Sequence, residues 1–257
     1  MSNLDIKKNN IFNEVLAAIS FLTRFPFTNH MMFHEKTVAA ASRWFSLVGL
    51  FIGFFGAAVY FALSLVVPHS LACVVTLVIL ILATGAFHED GLADLADGFG
   101  GGWDKSRKLA IMKDSQIGTY GVLALISTFA IKLSSLQLLS MQQVMLALIT
   151  AHGASRAISG MVPFFLEYAR IGENKTPQKS NTINYNTLLI LTACGFPGLL
   201  LLPSSLTLLL LATWLIAFVL LLKLMKKQIN GYTGDTLGAT QQVIELLTYI
   251  CFVIWTY

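Results

Sequence analysis

Apolar runs of about 20 residues recur along this chain, each long enough to cross the hydrocarbon of a bilayer as a helix. Seven can be marked off, at roughly 45–67, 71–87, 120–139, 144–166, 187–202, 206–222 and 241–257. Lipid offers no partner to a backbone N–H or C=O, so segments of this kind close their hydrogen bonds as helices. Composition agrees, because 56% of the 257 residues are hydrophobic and only 12% are charged, far from the balance of a soluble domain. The sequence therefore predicts an all-α polytopic membrane bundle of about seven transmembrane helices, with residues 1–257 forming one membrane domain. The stretch 11–25 is apolar too, but Glu14 and Arg24 interrupt it and Pro26 closes it. Within the N-terminal segment 1–43 it reads as an amphipathic helix lying at the interface. No small-residue cleavage site of the kind a signal peptide needs follows it.

Charge sets the orientation of such a bundle. With seven spans, Lys105, Arg107, Lys108, Lys113, Arg170, Lys175, Lys179, Lys223, Lys226 and Lys227 fall on the side of the N-terminus, which also carries Lys7, Lys8, Arg24, Lys36 and Arg43. The opposite loops, near 67–70, 140–143 and 203–205, hold no Lys or Arg, although Lys132 lies close to that side. The positive-inside rule then puts the N-terminus and the long loops in the cytoplasm. This accounts for the net charge of +4 without nucleic acid, for which basic residues should share a face with aromatics. The three cysteines, Cys73, Cys194 and Cys251, fall in different spans with no metal or disulfide spacing, and read as small buried apolar groups.

The rule hardly constrains acidic residues, yet Glu89, Asp90, Asp94, Asp97, Asp104, Asp114, Glu173 and Asp235 all map to the same side. The densest stretch, His88-Glu89-Asp90-Gly91-Leu92-Ala93-Asp94-Leu95-Ala96-Asp97-Gly98, runs off the end of the second span. If that helix continues, Asp90, Asp94 and Asp97 stand at i, i+4 and i+7 on one stripe. Like charges about 6 Å apart at an effective dielectric near 20 repel by roughly 3 kcal/mol per pair, so either protons or a cation must offset them. An all-oxygen site suits magnesium or manganese better than zinc. The alternative is a solvated acidic helix end with Lys105, Lys108 and Lys113 as loose partners. His88 is equally a ligand candidate or a hydrogen-bonded interfacial residue, and His30, His34 and His69 read as surface or interfacial groups.

Gly98, Gly100, Gly101 and Gly102 then predict a flexible turn, and the region 88–119 an active-site loop. Within it Lys113-Asp114-Ser115 offers a cation, a carboxylate and a hydroxyl suited to phosphate chemistry, or else a helix entry capped by Ser115 or Thr119. His152 and Arg156 lie at i, i+4 inside the fourth span, where an unpaired Arg costs about 2.5 to 3.5 kcal/mol. Arg156 is thus either a structural ion-pair partner or a phosphate clamp. In Gly231-Tyr232-Thr233-Gly234-Asp235, the aspartate could complete a metal site or cap the last helix.

Taken together, these residues resemble the cobalamin synthase family, the adenosylcobinamide-GDP ribazoletransferases. The resemblance runs nearly end to end, through Phe21-Leu22-Thr23-Arg24-Phe25-Pro26, His88 to Gly98, Ile111 to Gly121, Tyr168-Ala169-Arg170 and Thr233-Gly234-Asp235-Thr236-Leu237-Gly238-Ala239. His88, Asp90, Gly91, Leu92 and Asp94 supply the family's His-x-Asp-Gly-Leu-x-Asp core; Glu89 takes its variable position and ranks below the aspartates, and Ser46 stands where a proline is usual. The resemblance implies an integral enzyme of a prokaryotic cytoplasmic (inner) membrane, its active site facing the cytoplasm. The implied reaction is magnesium-dependent and joins adenosylcobinamide-GDP to alpha-ribazole, or its 5'-phosphate, with release of GMP. On this reading Asp90, Asp94 and Asp97 hold Mg2+, these three and Asp114 form the catalytic set, and Arg24, Lys113, Ser115, Arg156, Arg170, Thr233 and Asp235 contact substrate. Lipid is the further partner; a homo-oligomer or docking of other corrinoid-pathway enzymes is left open. Two rivals stand beside it. Asp94-Leu95-Ala96-Asp97-Gly98 looks like the start of the CDP-alcohol phosphotransferase signature, but that pattern continues with Ala-Arg where Gly101-Gly102 stand here. A divalent-cation transporter also gathers carboxylates, but near the bilayer midplane rather than at its edge.

Overall fold

The computed structural model describes residues 11–25, 40–170 and 185–257. Pro26, His30, His34 and Glu173 lie outside them. The described chain is helical throughout: α1 (Ile11–Leu22), α2 (Phe45–Ser64), α3 (His69–Thr84), α4 (Phe87–Gly101), α5 (Lys105–Ile111), α6 (Thr119–Gln137), α7 (Met141–Met161), α8 (Tyr185–Gly195), α9 (Ser204–Ile229) and α10 (Gly234–Thr256). Among the described residues no strand forms, and an isolated bridge joins Tyr168 to Tyr232.

The seven apolar segments correspond to α2, α3, α6, α7, the pair of α8 and the 3-10 turn Pro197–Leu201, α9 and α10. By length and composition, four helical stretches are able to cross a membrane: 42–64 with α2 at its core, α6, α9 and α10. The bent pair α3 and α4 makes a fifth if its two parts count as one span. The others fall short for visible reasons. Helix α7 carries His152 and Arg156 and is enclosed by its neighbours, while α8 ends at Gly195 and breaks into the 3-10 turn.

Loops collect at two ends. At one, His69 Nε2 lies 3.2 Å from the Gln137 carbonyl, Gln143 donates to Thr256 Oγ1 at 3.0 Å, and Trp255 Nε1 donates to Ser205 Oγ at 3.0 Å. These are the loops without Lys or Arg. At the other end Lys108 Nζ donates to Gln228 Oε1 at 2.6 Å and Arg170 pairs with Asp235 at 2.6 Å. Lys132 belongs to neither end; it is buried in the bundle.

Helix α1 keeps the amphipathic character read from its sequence, with Ile11 and Phe12 exposed and Ala17, Ala18 and Leu22 buried. Glu14 is an anchor rather than an interruption. Its carboxylate is buried, pairs with Arg43, and accepts a hydrogen bond from Trp44 Nε1 at 2.9 Å. This ties α1 to the foot of α2, where Phe21 stacks on Phe45.

The most extensive helix pair is α2 with α7. Apolar helices gain nothing from excluding lipid, so they associate through close van der Waals contact at small residues. Gly53 meets that need: a Cβ there would stand 2.7 Å from Ile149 Cα and 2.9 Å from the Leu148 carbonyl oxygen. Gly53→Ala is accordingly expected to lower the thermal midpoint in detergent by several degrees, a penalty of about 1–3 kcal/mol for overpacking. Gly101→Ala, whose Cβ would meet only Ile111 Cδ1 at 3.6 Å, is expected to leave the midpoint unchanged. Equal midpoints for the two variants would contradict the close-packing account.

Candidate active site at the charged end of the bundle

The second apolar segment does not continue straight into the aspartates. Gly85 (φ 66°) and Ala86 (φ 56°) are both left-handed, α3 stops, and α4 departs at 87°. Left-handed backbone is routine for glycine but uncommon for alanine. Arg24 covers the break: its backbone N–H donates to the Ala83 carbonyl at 2.7 Å and its side chain lies against Gly85. Helix α4 is an arm at the charged end, turned away from the line of α3. The glycines expected to form a flexible turn are mostly helical, since Gly98, Gly100 and Gly101 belong to α4 and only Gly102 is extended. Region 88–119 is thus two helices, α4 and α5, with their connections rather than a loop.

The three aspartates share α4, but their surroundings differ. Asp90 is exposed, Asp94 half-buried and Asp97 buried. Asp97 reaches the start of α6, where its Oδ2 accepts from Gly118 N–H at 2.7 Å and its Oδ1 from Gly121 N–H at 2.9 Å. No side chain of the segment before α6 caps that helix. The cap arrives from another helix, satisfying two of the amides a helix start leaves orphaned. Neither Ser115 nor Thr119 fills this role.

Asp94 stands among other carboxylates. Its carboxyl is pushed up to about 6, chiefly by partial burial and then by Asp90 and Asp235, with Arg170 opposing and Asp97 adding a little. Asp235 comes from the first turn of α10, whose cap is Thr233: the Thr233 hydroxyl accepts from Thr236 N–H at 3.3 Å and donates to Asp235 Oδ2 at 3.2 Å. Asp235 is therefore free of the capping task. It receives Arg170 Nη2 at 2.6 Å, and the same nitrogen lies 3.4 Å from the Met112 carbonyl. Arg170 is delivered by the short pairing of Ala169 N–H to the Tyr232 carbonyl at 2.8 Å and Tyr232 N–H to the Glu167 carbonyl at 2.9 Å. Helices α4 and α10 approach closely at Gly91, where a Cβ would stand 2.8 Å from the Asp235 carbonyl oxygen. The structure thus gathers Asp90, Asp94, Asp235 and Arg170.

Lys113, Asp114 and Ser115 are exposed beside this group, and Asp114 Oδ1 accepts from Gln116 N–H at 3.0 Å in a local turn. Among the described residues no three His, Cys, Asp or Glu side chains converge closely enough to cage a metal ion. Mg2+ retains several waters and takes one or two carboxylates plus phosphate oxygens. Asp90 and Asp94 fit that habit of binding, whereas both oxygens of Asp97 are already committed to amides.

Arg156 is placed elsewhere. It is 2% exposed, with Nη1 3.1 Å from His152 Nδ1 and donating to the His152 carbonyl at 3.2 Å. It belongs to an interior polar cluster that the sequence reading missed. Glu245 of α10 is its centre: Lys132 Nζ lies 2.6 Å away, Gln241 Nε2 donates at 2.6 Å, and His152 Nδ1 stands at 3.5 Å. Gln242 accepts from Lys132 at 2.7 Å and donates to Glu89 Oε1 at 3.0 Å. The signal was available, since Glu245 and Lys132 are charges inside apolar runs, where each needs a partner. Buried His88 and half-buried Glu89 look into the same interior, where a cavity of about 260 Å³ opens between α3, α6, α7 and α10. Because one buried charge without its partner costs about 3–5 kcal/mol, Lys132→Met is expected to lower the thermal midpoint more than the double variant Lys132→Met/Glu245→Leu. The reverse order in a thermal melt would deny that the pair is mutually dependent.

The comparisons place this arrangement in a family. A family model described as cobalamin-5-phosphate synthase matches residues 14–253. A protein of Shewanella amazonensis named adenosylcobinamide-GDP ribazoletransferase is 39% identical over 247 residues, covering 94% of this chain and 95% of its own. Proteins of the same name from Shewanella frigidimarina and Shewanella halifaxensis are each 40% identical, with 96% of both chains covered. No solved structure matches. A membrane bundle with a carboxylate arm, matched to this family over nearly its whole length, has one assignment: the chain belongs to the cobalamin-5-phosphate synthase family.

Proposed function

We propose that this protein transfers the adenosylcobinamide-phosphate group of adenosylcobinamide-GDP to alpha-ribazole or its 5'-phosphate, releasing GMP. The observation that carries the reading is that half-buried Asp94 lies within electrostatic reach of Asp90, Asp235 and Arg170 at the charged end, where Arg170 pairs with Asp235, in a chain of this family. A ribose hydroxyl of the acceptor attacks the phosphorus that bears cobinamide. The new P–O bond forms as the bond to the bridging oxygen breaks, and GMP leaves with that oxygen. The hydroxyl proton passes to a carboxylate, for which Asp114 and Asp235 are the candidates.

The residues divide the work. Asp90 and Asp94 are the pair that would hold Mg2+, which when bound neutralises charge on the pyrophosphate. Arg170, already aimed across the cluster by Asp235, grips phosphate oxygens through its planar fork. Exposed Lys113 and Ser115 line the approach, Arg24 steadies the start of the arm, and Thr233 sets the rotamer of Asp235. Asp97 has a positioning role, holding α4 to α6. The basic loops support a cytoplasmic orientation for this end of the bundle, and with it an active site on the cytoplasmic side of a prokaryotic inner membrane, where phosphorylated substrates are soluble.

Purified protein in lipid with both substrates is expected to release GMP and to stop when divalent cations are chelated; no GMP under any condition would sink the assignment. Asp94→Ala is expected to cut turnover by at least about a hundredfold with the thermal midpoint kept. Asp114→Ala tests the base: near-normal turnover removes Asp114 from the candidates and leaves Asp235.

A further inference from the structure

The interior cavity is not used by the carboxylate site, yet its lining is that of a binding pocket. Leu77, Leu80, Leu125 and Phe129 make apolar walls, and Glu89, Lys132, His152, Arg156, Gln242 and Glu245 a polar floor. Three floor atoms are buried without a hydrogen-bond partner among the described residues: Glu89 Oε2, His152 Nε2 and Arg156 Nε. Buried polar atoms are almost always paired, so three orphans lining one cavity mark a place where a ligand supplies the missing bonds.

We propose that this cavity seats the nucleoside acceptor, with its flat heteroaromatic ring between the apolar walls and its ribose on the polar floor. The inference rests on the reaction proposed above and adds where one substrate binds. Size selects between the two substrates. At about 260 Å³ the space falls just under the roughly 300–1,000 Å³ of pockets for drug-sized ligands, nearer in size to a nucleoside than to a corrinoid, for which it is far too small. Charge selects as well. Lys132 and Arg156 face Glu89 and Glu245, two basic groups against two acidic ones, which suits a neutral polar occupant better than an ion. The orphans comprise a carboxylate oxygen, a guanidinium N–H and an imidazole nitrogen, and ribose hydroxyls both donate and accept. Location completes the case: Glu89 looks into the cavity while its chain neighbour Asp90 stands at the exposed carboxylate cluster.

The test uses the full chain in lipid nanodiscs. Thr128 lines the cavity, and Thr128→Phe fills it. Ribazole alone is expected to raise the thermal midpoint of the wild type and to fail with Thr128→Phe. In turnover, KM for ribazole is expected to rise about tenfold or more while KM for adenosylcobinamide-GDP stays the same. Glu89→Ala, which removes an orphan acceptor without adding bulk, is expected to give the same split. An unchanged KM for ribazole in both variants, or an equal rise for both substrates, overturns the assignment. Failure of the wild type to release GMP overturns instead the reaction, and the midpoint shift with ribazole alone still reports on the cavity.

Discussion

The placement of α4 depends on one carboxylate. Asp97 accepts the amides of Gly118 and Gly121, a charge-assisted pair of hydrogen bonds in a half-apolar setting, where such bonds are stronger than in water. It fastens the far end of an arm whose near end is turned by the left-handed residues Gly85 and Ala86. With both ends fixed, rotation of α4 about its axis is no longer free. Asp90 and Asp94 then stand on the side of Asp235 and Arg170, and His88 and Glu89 turn into the bundle.

A charged arm at the edge of a membrane needs this kind of constraint. Carboxylates that repel one another favour rotations that carry them to water, as exposed Asp90 is, so half-buried Asp94 keeps its place near Asp235 because packing opposes that rotation. The close approach at Gly91 and the Arg170 pair supply that opposition. The interior follows another rule. Around Glu245, Lys132 and Gln241 stand at hydrogen-bond distance from the carboxylate, as a low-dielectric surrounding demands, while the Arg156 side chain, among the described residues, bonds only to His152.

Much of this was legible in the sequence, and the failures have physical causes. Hydrophobic runs located every crossing segment, because length and apolarity are what lipid selects. They could not foresee that α8 breaks near Gly195, since a short apolar helix and a full span read alike. The grouping of aspartates was visible from helical spacing, but spacing assigns a face and not a partner. The amides that claim Asp97 lie more than 20 residues away, and that contact belongs to tertiary structure. The glycines after Asp97 looked like a turn because glycine disfavours helices; here its lack of a side chain admits Met112 and Tyr120 against the helix. Arg156 is buried beside His152, near Glu245 rather than the aspartates. Lys132 and Glu245, each a lone charge in an apolar run, were the clues left unread.

The division of labour along α4 is the central claim, with Asp90 and Asp94 available to a cation and Asp97 occupied in holding the helix. Electron paramagnetic resonance of Mn2+ titrated into the lipid-embedded protein tests it most directly. Asp94→Ala should abolish the protein-bound signal at an unchanged thermal midpoint, while Asp97→Ala should lower the midpoint and keep the signal in the molecules that remain folded. Loss of bound Mn2+ on changing Asp97, with retention on changing Asp94, would contradict the account.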